Sequence, residues 1–187
     1  TFNYKIILDQ VSKVNILLIT SFFLPGYKGG GPIKSVANLS ASLNLSFNII
    51  ILTSDRELGD KEKYENIKIG LRNKVGVHNV IYENVLGFLS MLKHIKNENV
   101  DLIWLNSFFS IYSIKILILK KLNLIDTPVV VSPRGELSQG GLSIKSLKKY
   151  LFIYLCKFVG FYSRIFFHST DKSESIALNN ILGLRSY

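Results

Sequence analysis

A glycine-rich loop is the first part of the sequence whose residue types could carry chemistry. It follows a short apolar run and contains three consecutive glycines, Gly29, Gly30 and Gly31, directly before Pro32. Glycines let the backbone approach a ligand closely, and a helix that starts at the proline would add free N–H groups and a positive dipole end. Lys34 adds positive charge. The loop therefore predicts a phosphate contact, and the alternative is a glycine turn that binds nothing.

The spacing of these glycines excludes two phosphate-binding motifs. It is not the G-x-G-x-x-G of dinucleotide-binding proteins, and no G-K-[ST] closes the loop as in a Walker A sequence. A metal site is not predicted, because none of the three histidines has ligand spacing with another histidine or with the single cysteine, Cys156. We assign no cofactor and no catalytic residue from the sequence.

A second group of polar residues follows the apolar run at 128–132. Arg134 offers a fork of donors that suits a phosphate or a carboxylate, and Glu136 could orient a hydroxyl group or act as a base. The alternative is a turn in which the two side chains form a surface ion pair, which stabilises little. Asn106 ends another apolar run and could bind a hydroxyl group; the alternative is that Asn106 or Ser107 caps a helix.

The elements that must position these residues alternate between apolar runs and helical patterns. Strands are predicted at 14–20, 47–53, 67–71, 77–82, 100–106, 128–132 and 164–168, and helices at 32–43, 85–97, 109–122, 143–162 and 171–182, with a long exposed loop at 54–66. This alternation indicates an α/β protein with a parallel sheet and helices on both faces. Ligands gather at the carboxyl ends of such strands, so we expect the glycine loop and Arg134 at the same edge.

The predicted helix at 143–162 is basic and aromatic. Its expected core stripe consists of four apolar residues at helical spacing: Leu147, Leu151, Leu155 and Phe158. Lys145, Lys148 and Lys149 lie on its other faces and could rest on an anionic membrane surface. The alternative is a core helix with a solvated basic side. A membrane span at 150–169 is rejected, because Lys157 and Arg164 lie inside it.

Composition narrows the class of protein. The 187 residues suffice for one α/β domain, and 48% hydrophobic with 19% charged residues is a globular composition. A net charge of +10 fits nucleic acid, an anionic membrane or a phosphorylated ligand. It fits a low-GC genome equally well, since Lys, Asn and Ile are all abundant. No nucleic-acid-binding motif is present, so that partner is not predicted. With one cysteine and no recognisable signal peptide, a cytoplasmic protein is expected, with the inner face of the membrane as a further possibility.

Three segments in order resemble a known family. The glycine-rich loop is followed by S-P-R-G-E-L-S-x-G-G-L-S-I-K-S-L-K-K and then by F-H-S-T-x-x-S-E. This order resembles the N-terminal domain of family 4 retaining glycosyltransferases, which have the GT-B fold. The resemblance covers roughly Val14 to Gly183. It implies one Rossmann-like, acceptor-side domain at 14–187, preceded by an arm of uncertain structure at 1–13.

The resemblance also implies an activity. Gly30 and Gly31 would contact the diphosphate of a nucleotide-sugar donor, and Arg134 and Glu136 would lie over the cleft. The sugar would pass, with retention, to a glycan or lipid-linked acceptor in surface polysaccharide synthesis. Most donor contacts belong to a C-terminal domain of the family, so this chain is expected to be inactive without one. The alternative is a non-catalytic α/β module that docks on a membrane or a partner.

Overall fold

The computed structural model describes residues 13–84, 87–143 and 146–183. The strands are β1 (Asn15–Ile19), β2 (Asn48–Ser54), β3 (Arg72–Val75), β4 (His78–Glu83), β5 (Leu102–Leu105), β6 (Val129–Val131) and β7 (Phe166–Phe167). The helices are α1 (Gly31–Leu43), α2 (Phe88–Asn97), α3 (Ile111–Lys121), α4 (Gln139–Ser143), α5 (Ser146–Phe158) and α6 (Lys172–Leu182). The predicted α/β architecture is confirmed.

The strands form one sheet in the order β3-β4-β2-β1-β5-β6-β7. Every neighbouring pair is parallel except β3 and β4, which form an antiparallel hairpin at the edge. From β1 the chain proceeds to β2 on one side, and later to β5 on the other side. The strand order therefore reverses at β1, and a crevice forms where the carboxyl ends of β1 and β5 diverge.

Helices cover both faces of the sheet, as the sequence predicts. The central strands are apolar on both faces, and Leu17, Leu18 and Ile50 are fully buried. Val36 of α1 packs into the core on one face. The buried apolar residues of α2, α3, α5 and α6 belong to the core on the opposite face. The fold is therefore a Rossmann-like doubly wound sheet, closed at one edge by an antiparallel hairpin.

The predicted strand at 67–71 is wrong. Within this segment, Ile69 forms an isolated bridge with Tyr82 but no strand. The strand that pairs with β4 is β3, which begins after the predicted segment, at Arg72. Arg72 and Lys74 of β3 point to solvent, because the strand lies at the sheet edge. A charged edge strand has no apolar alternation, so its sequence does not predict it.

The predicted core stripe of the helix at 143–162 is also wrong. This segment forms α4 and α5, and Leu147, Leu151, Leu155 and Phe158 are exposed. Ile153 and Cys156 are the α5 residues that enter the core. Both sides of α5 carry apolar residues, so helical spacing alone does not identify the side that faces the sheet. Cys156 is buried, whereas Lys145 lies outside the described residues.

The helix predicted at 171–182 is observed as α6, with a side-chain cap at its start and a glycine at its end. Asp171 is the N-cap of α6, and its side chain accepts a hydrogen bond from the backbone N–H of Glu174. Gly183 ends α6 in the left-handed conformation with φ of 69°. Among the described residues, no helix has the length and apolarity that a bilayer crossing requires.

Candidate functional site

A cavity of about 270 Å³ opens at the carboxyl edge of the sheet, between the glycine loop and the ends of β1, β5 and β6. Four of the residues singled out from the sequence line it: Gly29, Asn106, Arg134 and Glu136. They lie far apart in sequence and meet because parallel strands end at the same edge. The remaining candidates of the loop, Gly30, Gly31 and Lys34, are exposed at the start of α1 and do not line the cavity.

Asn106 and Arg134 form a pair inside the cavity. The Nε of Arg134 donates to Oδ1 of Asn106 at 2.8 Å. Two further donor atoms of this pair, Nδ2 of Asn106 and Nη2 of Arg134, are buried and have no partner. Burial also lowers the pKa of the Arg134 guanidinium from its ordinary value. Unpartnered buried donors are uncommon in native proteins, so this pair is suited to a ligand rich in oxygen acceptors.

The backbone at Arg134 is held in an unusual conformation by a buried carboxylate. Arg134 has φ of 54° and Gly135 has φ of 77°. Glu174, on α6, accepts from the backbone N–H of Gly135 at 2.6 Å and from the N–H and hydroxyl of Thr170 at 2.7 and 2.8 Å. A positive φ on an arginine persists only where surrounding contacts impose it, and such residues cluster at functional sites.

Glu136 links two loops of the cavity and does not pair with Arg134. Its carboxylate accepts from Oγ of Ser107 at 2.8 Å, from the N–H of Phe109 at 3.1 Å and from the N–H of Phe108. The alternative of a surface ion pair between residues 134 and 136 is therefore wrong. Both carboxylate oxygens of Glu136 are engaged in positioning the loop after β5. A contact between Glu136 and an acceptor substrate stays a prediction.

The helix-cap alternative for Asn106 and Ser107 is wrong as well. The N-cap of α3 is Ser110, whose side chain accepts from the N–H of Ser113 at 3.0 Å. Ser107 instead accepts from the N–H of Ser110, while Asn106 faces Arg134. The side chain of Asn106 is thus directed to the cavity.

The glycine loop is held by a carboxylate that the sequence analysis missed. Gly30, with φ of 66°, precedes α1, and Pro32 lies in its first turn, as predicted. Glu57 is buried beneath the loop and accepts from the N–H groups of Tyr27 and Lys28. Burial raises the pKa of this carboxyl, but the N–H groups that it accepts from bring it below its ordinary value.

The segment 54–66 is consequently more than the exposed loop that was predicted. Asp55 and Glu57 are buried, and Lys28 of the glycine loop forms an exposed ion pair with Asp60 at 2.5 Å. Charged residues in a long polar segment carry no local sign that they will be buried. Glu174 is similar: it is the acidic residue in the first turn of α6, and it supports the loop of Arg134.

The described residues contain no cluster of histidine, cysteine, aspartate or glutamate that could hold a metal ion. No protein-family model matches the chain, and no curated protein matches it. The fold and the cavity define the class of this protein. It is a doubly wound α/β domain with a cavity at the point where the strand order reverses.

Two neighbouring glycines of α4 provide a test of how closely the loop around Arg134 is packed. A Cβ at residue 141 would lie 2.4 Å from the carbonyl oxygen of Gly135, whereas a Cβ at residue 140 would meet nothing within 4 Å. We expect Gly141→Ala to lower the free energy of unfolding by about 1–3 kcal/mol. Gly140→Ala should raise it by up to about 1 kcal/mol, because alanine favours a helix.

Urea denaturation of both variants measures this difference. The two substitutions add the same methyl group at adjacent positions, so each is the control for the other. Equal stabilities for the two variants would contradict the close approach of α4 to the loop.

Proposed function

We propose that this domain is the acceptor-side part of a nucleotide-sugar-dependent glycosyltransferase of the GT-B type. The observation that supports the proposal is the meeting of the glycine loop with Asn106 and Arg134, which carry buried unpartnered donors. The resemblance of the SPRGELS segment to family 4 glycosyltransferases gives this site its interpretation. A second domain would supply the nucleotide contacts.

The arrangement suits a diphosphate that approaches from outside the cavity. The first turn of α1 presents the backbone N–H of Gly31 and the positive end of a helix dipole. Gly30 and Gly31 are both exposed, and the N–H of Gly30 donates to the carbonyl oxygen of Tyr27 at 2.9 Å. Lys34 lies exposed in the same turn. When the bond between the sugar and the diphosphate of the donor breaks, negative charge develops on the leaving diphosphate. Donors fixed at this position stabilise that charge without rearranging.

The cavity itself suits a small part of a ligand. Its volume of about 270 Å³ lies below the roughly 300–1,000 Å³ of pockets for drug-sized ligands. One sugar unit or phosphate group would fit there, whereas a whole nucleotide sugar would not. We therefore assign Asn106 and Arg134 to the acceptor or to the group being transferred, and the exposed glycines to the diphosphate.

Replacing Arg134 by lysine tests this assignment. We expect Arg134→Lys to weaken binding of simple sugars by about tenfold or more, because a lost charge-assisted hydrogen bond is worth roughly 1.5–3 kcal/mol. Binding is measured by NMR titration of the chain with uridine diphosphate, guanosine diphosphate and simple sugars. The peaks that should shift belong to the backbone of Gly29–Gly31, the amide of Asn106 and Nε–H of Arg134.

Arg72→Lys is the matched control. Arg72 lies on the edge strand and forms an ion pair with Glu98, far along the sheet from the cavity in strand order. This variant should bind like the unmodified chain. Shifts confined to surface lysines, with inorganic sulfate as effective as the nucleotides, would contradict a built site.

Transfer itself is tested by supplying a donor domain with the chain. Labelled nucleotide sugars are offered with lipid-linked and glycan acceptors, and product is expected for one pair, with loss of product in Arg134→Ala. If no combination yields product, catalytic competence is excluded and a docking module without activity becomes the better interpretation.

A further inference from the structure

One side of α5 is an exposed apolar surface, which we call the α5 stripe. Its members recur every three or four residues along the helix: Leu147, Tyr150, Leu151, Tyr154, Leu155 and Phe158. All are exposed, and Leu147 and Phe158 are each 81% accessible. A continuous apolar row of this kind on a protein surface marks a site of interaction.

The orientation of α5 is determined by contacts on its opposite side. Ile153 and Cys156 are buried in the core. Lys149 donates to the carbonyl oxygen of Gly141 at 2.5 Å, and its ammonium group lies 5.0 Å from the centre of the Phe109 ring. The interpretation of Lys149 as a membrane-facing residue is therefore corrected: it is directed toward the protein. The α5 stripe faces outward because the other side of the helix is held.

Lysines border the α5 stripe on both sides. With about 100° between successive residues of a helix, Lys148 lies along one border of the stripe and Lys157 along the other. Both are exposed, and Lys157 also donates to the carbonyl oxygen of Ile181 at 3.0 Å. The sequence from 137 to 170 contains no aspartate or glutamate. The stripe is thus an apolar surface with a purely basic border.

We propose that the α5 stripe docks this domain on an anionic lipid surface. The apolar side chains would enter the boundary between headgroups and acyl chains, and Lys148 and Lys157 would contact the lipid phosphates. Charge complementarity favours lipid over a second copy of the chain. Two α5 stripes face to face would bring four lysines together, with no acidic residue from this segment to pair with them.

The proposal does not depend on sugar transfer, because it concerns a different surface from the cavity and is tested without nucleotide or sugar. The full 187-residue chain is sedimented with vesicles of phosphatidylcholine alone, or of phosphatidylcholine mixed with phosphatidylglycerol. We expect binding to the mixed vesicles, and weaker binding as salt is raised. Lys148→Gln and Lys157→Gln should each weaken it about fivefold.

The apolar part is tested by Leu147→Asp combined with Phe158→Asp, which should weaken binding by about tenfold or more. The matched control is Leu45→Asp combined with Leu89→Asp, since these leucines are 86% and 83% exposed but lie on other helices and turns. The control pair should bind like the unmodified chain. Melting curves of all variants should coincide, because every substituted side chain is exposed.

Three results would overturn the proposal. The first is equal binding to neutral and anionic vesicles, and the second is equal binding by the stripe and control variants. The third is a chain that ignores vesicles and forms a dimer which Leu147→Asp with Phe158→Asp converts to a monomer. That result would assign the stripe to a second copy of the protein.

Discussion

Replacing Phe108 by alanine is expected to lower the free energy of unfolding by about 3–5 kcal/mol. Its side chain is only 1% exposed, and its ring contacts those of Phe109, Phe152, Tyr162 and Phe167. Alanine would leave a cavity between β7, α5 and the loop after β5, because these elements cannot all move inward together. Guanidinium denaturation followed by circular dichroism measures the loss.

Two controls define the cause of that loss. Phe108→Leu keeps most of the volume and should cost less than half as much as alanine. Phe166→Ala removes the same ring from a neighbouring position that is 55% exposed, and should cost much less than Phe108→Ala. Similar losses for the alanine variants at 108 and 166 would contradict the central place of Phe108 in this core.

The second large effect is expected at Glu174. Glu174→Ala removes the acceptor of the N–H groups of Gly135 and Thr170 inside the protein. A buried donor left without a partner costs about 1–3 kcal/mol, so we expect a total loss of about 2–4 kcal/mol in the free energy of unfolding. The loop of Arg134 would also lose its support, and the NMR signal of Nε–H in Arg134 should broaden or move.

Glu65→Ala is the control for this substitution. Glu65 is an exposed acid, so its removal should change stability by no more than about 0.5 kcal/mol. A Glu174→Ala variant that is as stable as Glu65→Ala, with an unchanged Arg134 signal, would show that the carboxylate does not hold the loop. The substitutions at Phe108 and Glu174 together test whether buried side chains hold the loops that carry Asn106 and Arg134.

Phe108 and Glu174 lie behind the cavity and not inside it. Phe108 anchors the chain just after Asn106, and Glu174 holds the backbone just after Arg134. Glu136 joins the two loops through its bonds to Ser107 and the backbone beyond it. The pair of donors is therefore supported from both sides, as a site that must keep its geometry requires.

The location of the candidate site follows from the sequence alone. Apolar runs such as the one at β1 predict buried parallel strands, and the helices between them predict the connections. Once strands are parallel, the residues after each one meet at one edge. Gly29, Asn106 and Arg134 therefore share a cavity, as expected from their order in the chain.

Other features were decided by the tertiary structure. Glu57 and Glu174 act on backbone groups about thirty to forty residues away, and no local pattern encodes such a partner. The side of α5 that faces solvent could not be predicted either, because apolar residues occur on both of its sides. The sequence by itself determined three features: the buried parallel strands, the glycine loop after β1, and the polar residues at the carboxyl ends of β5 and β6. Only packing decided which carboxylates became buried and which apolar stripe stayed outside, because those outcomes depend on the space left between elements.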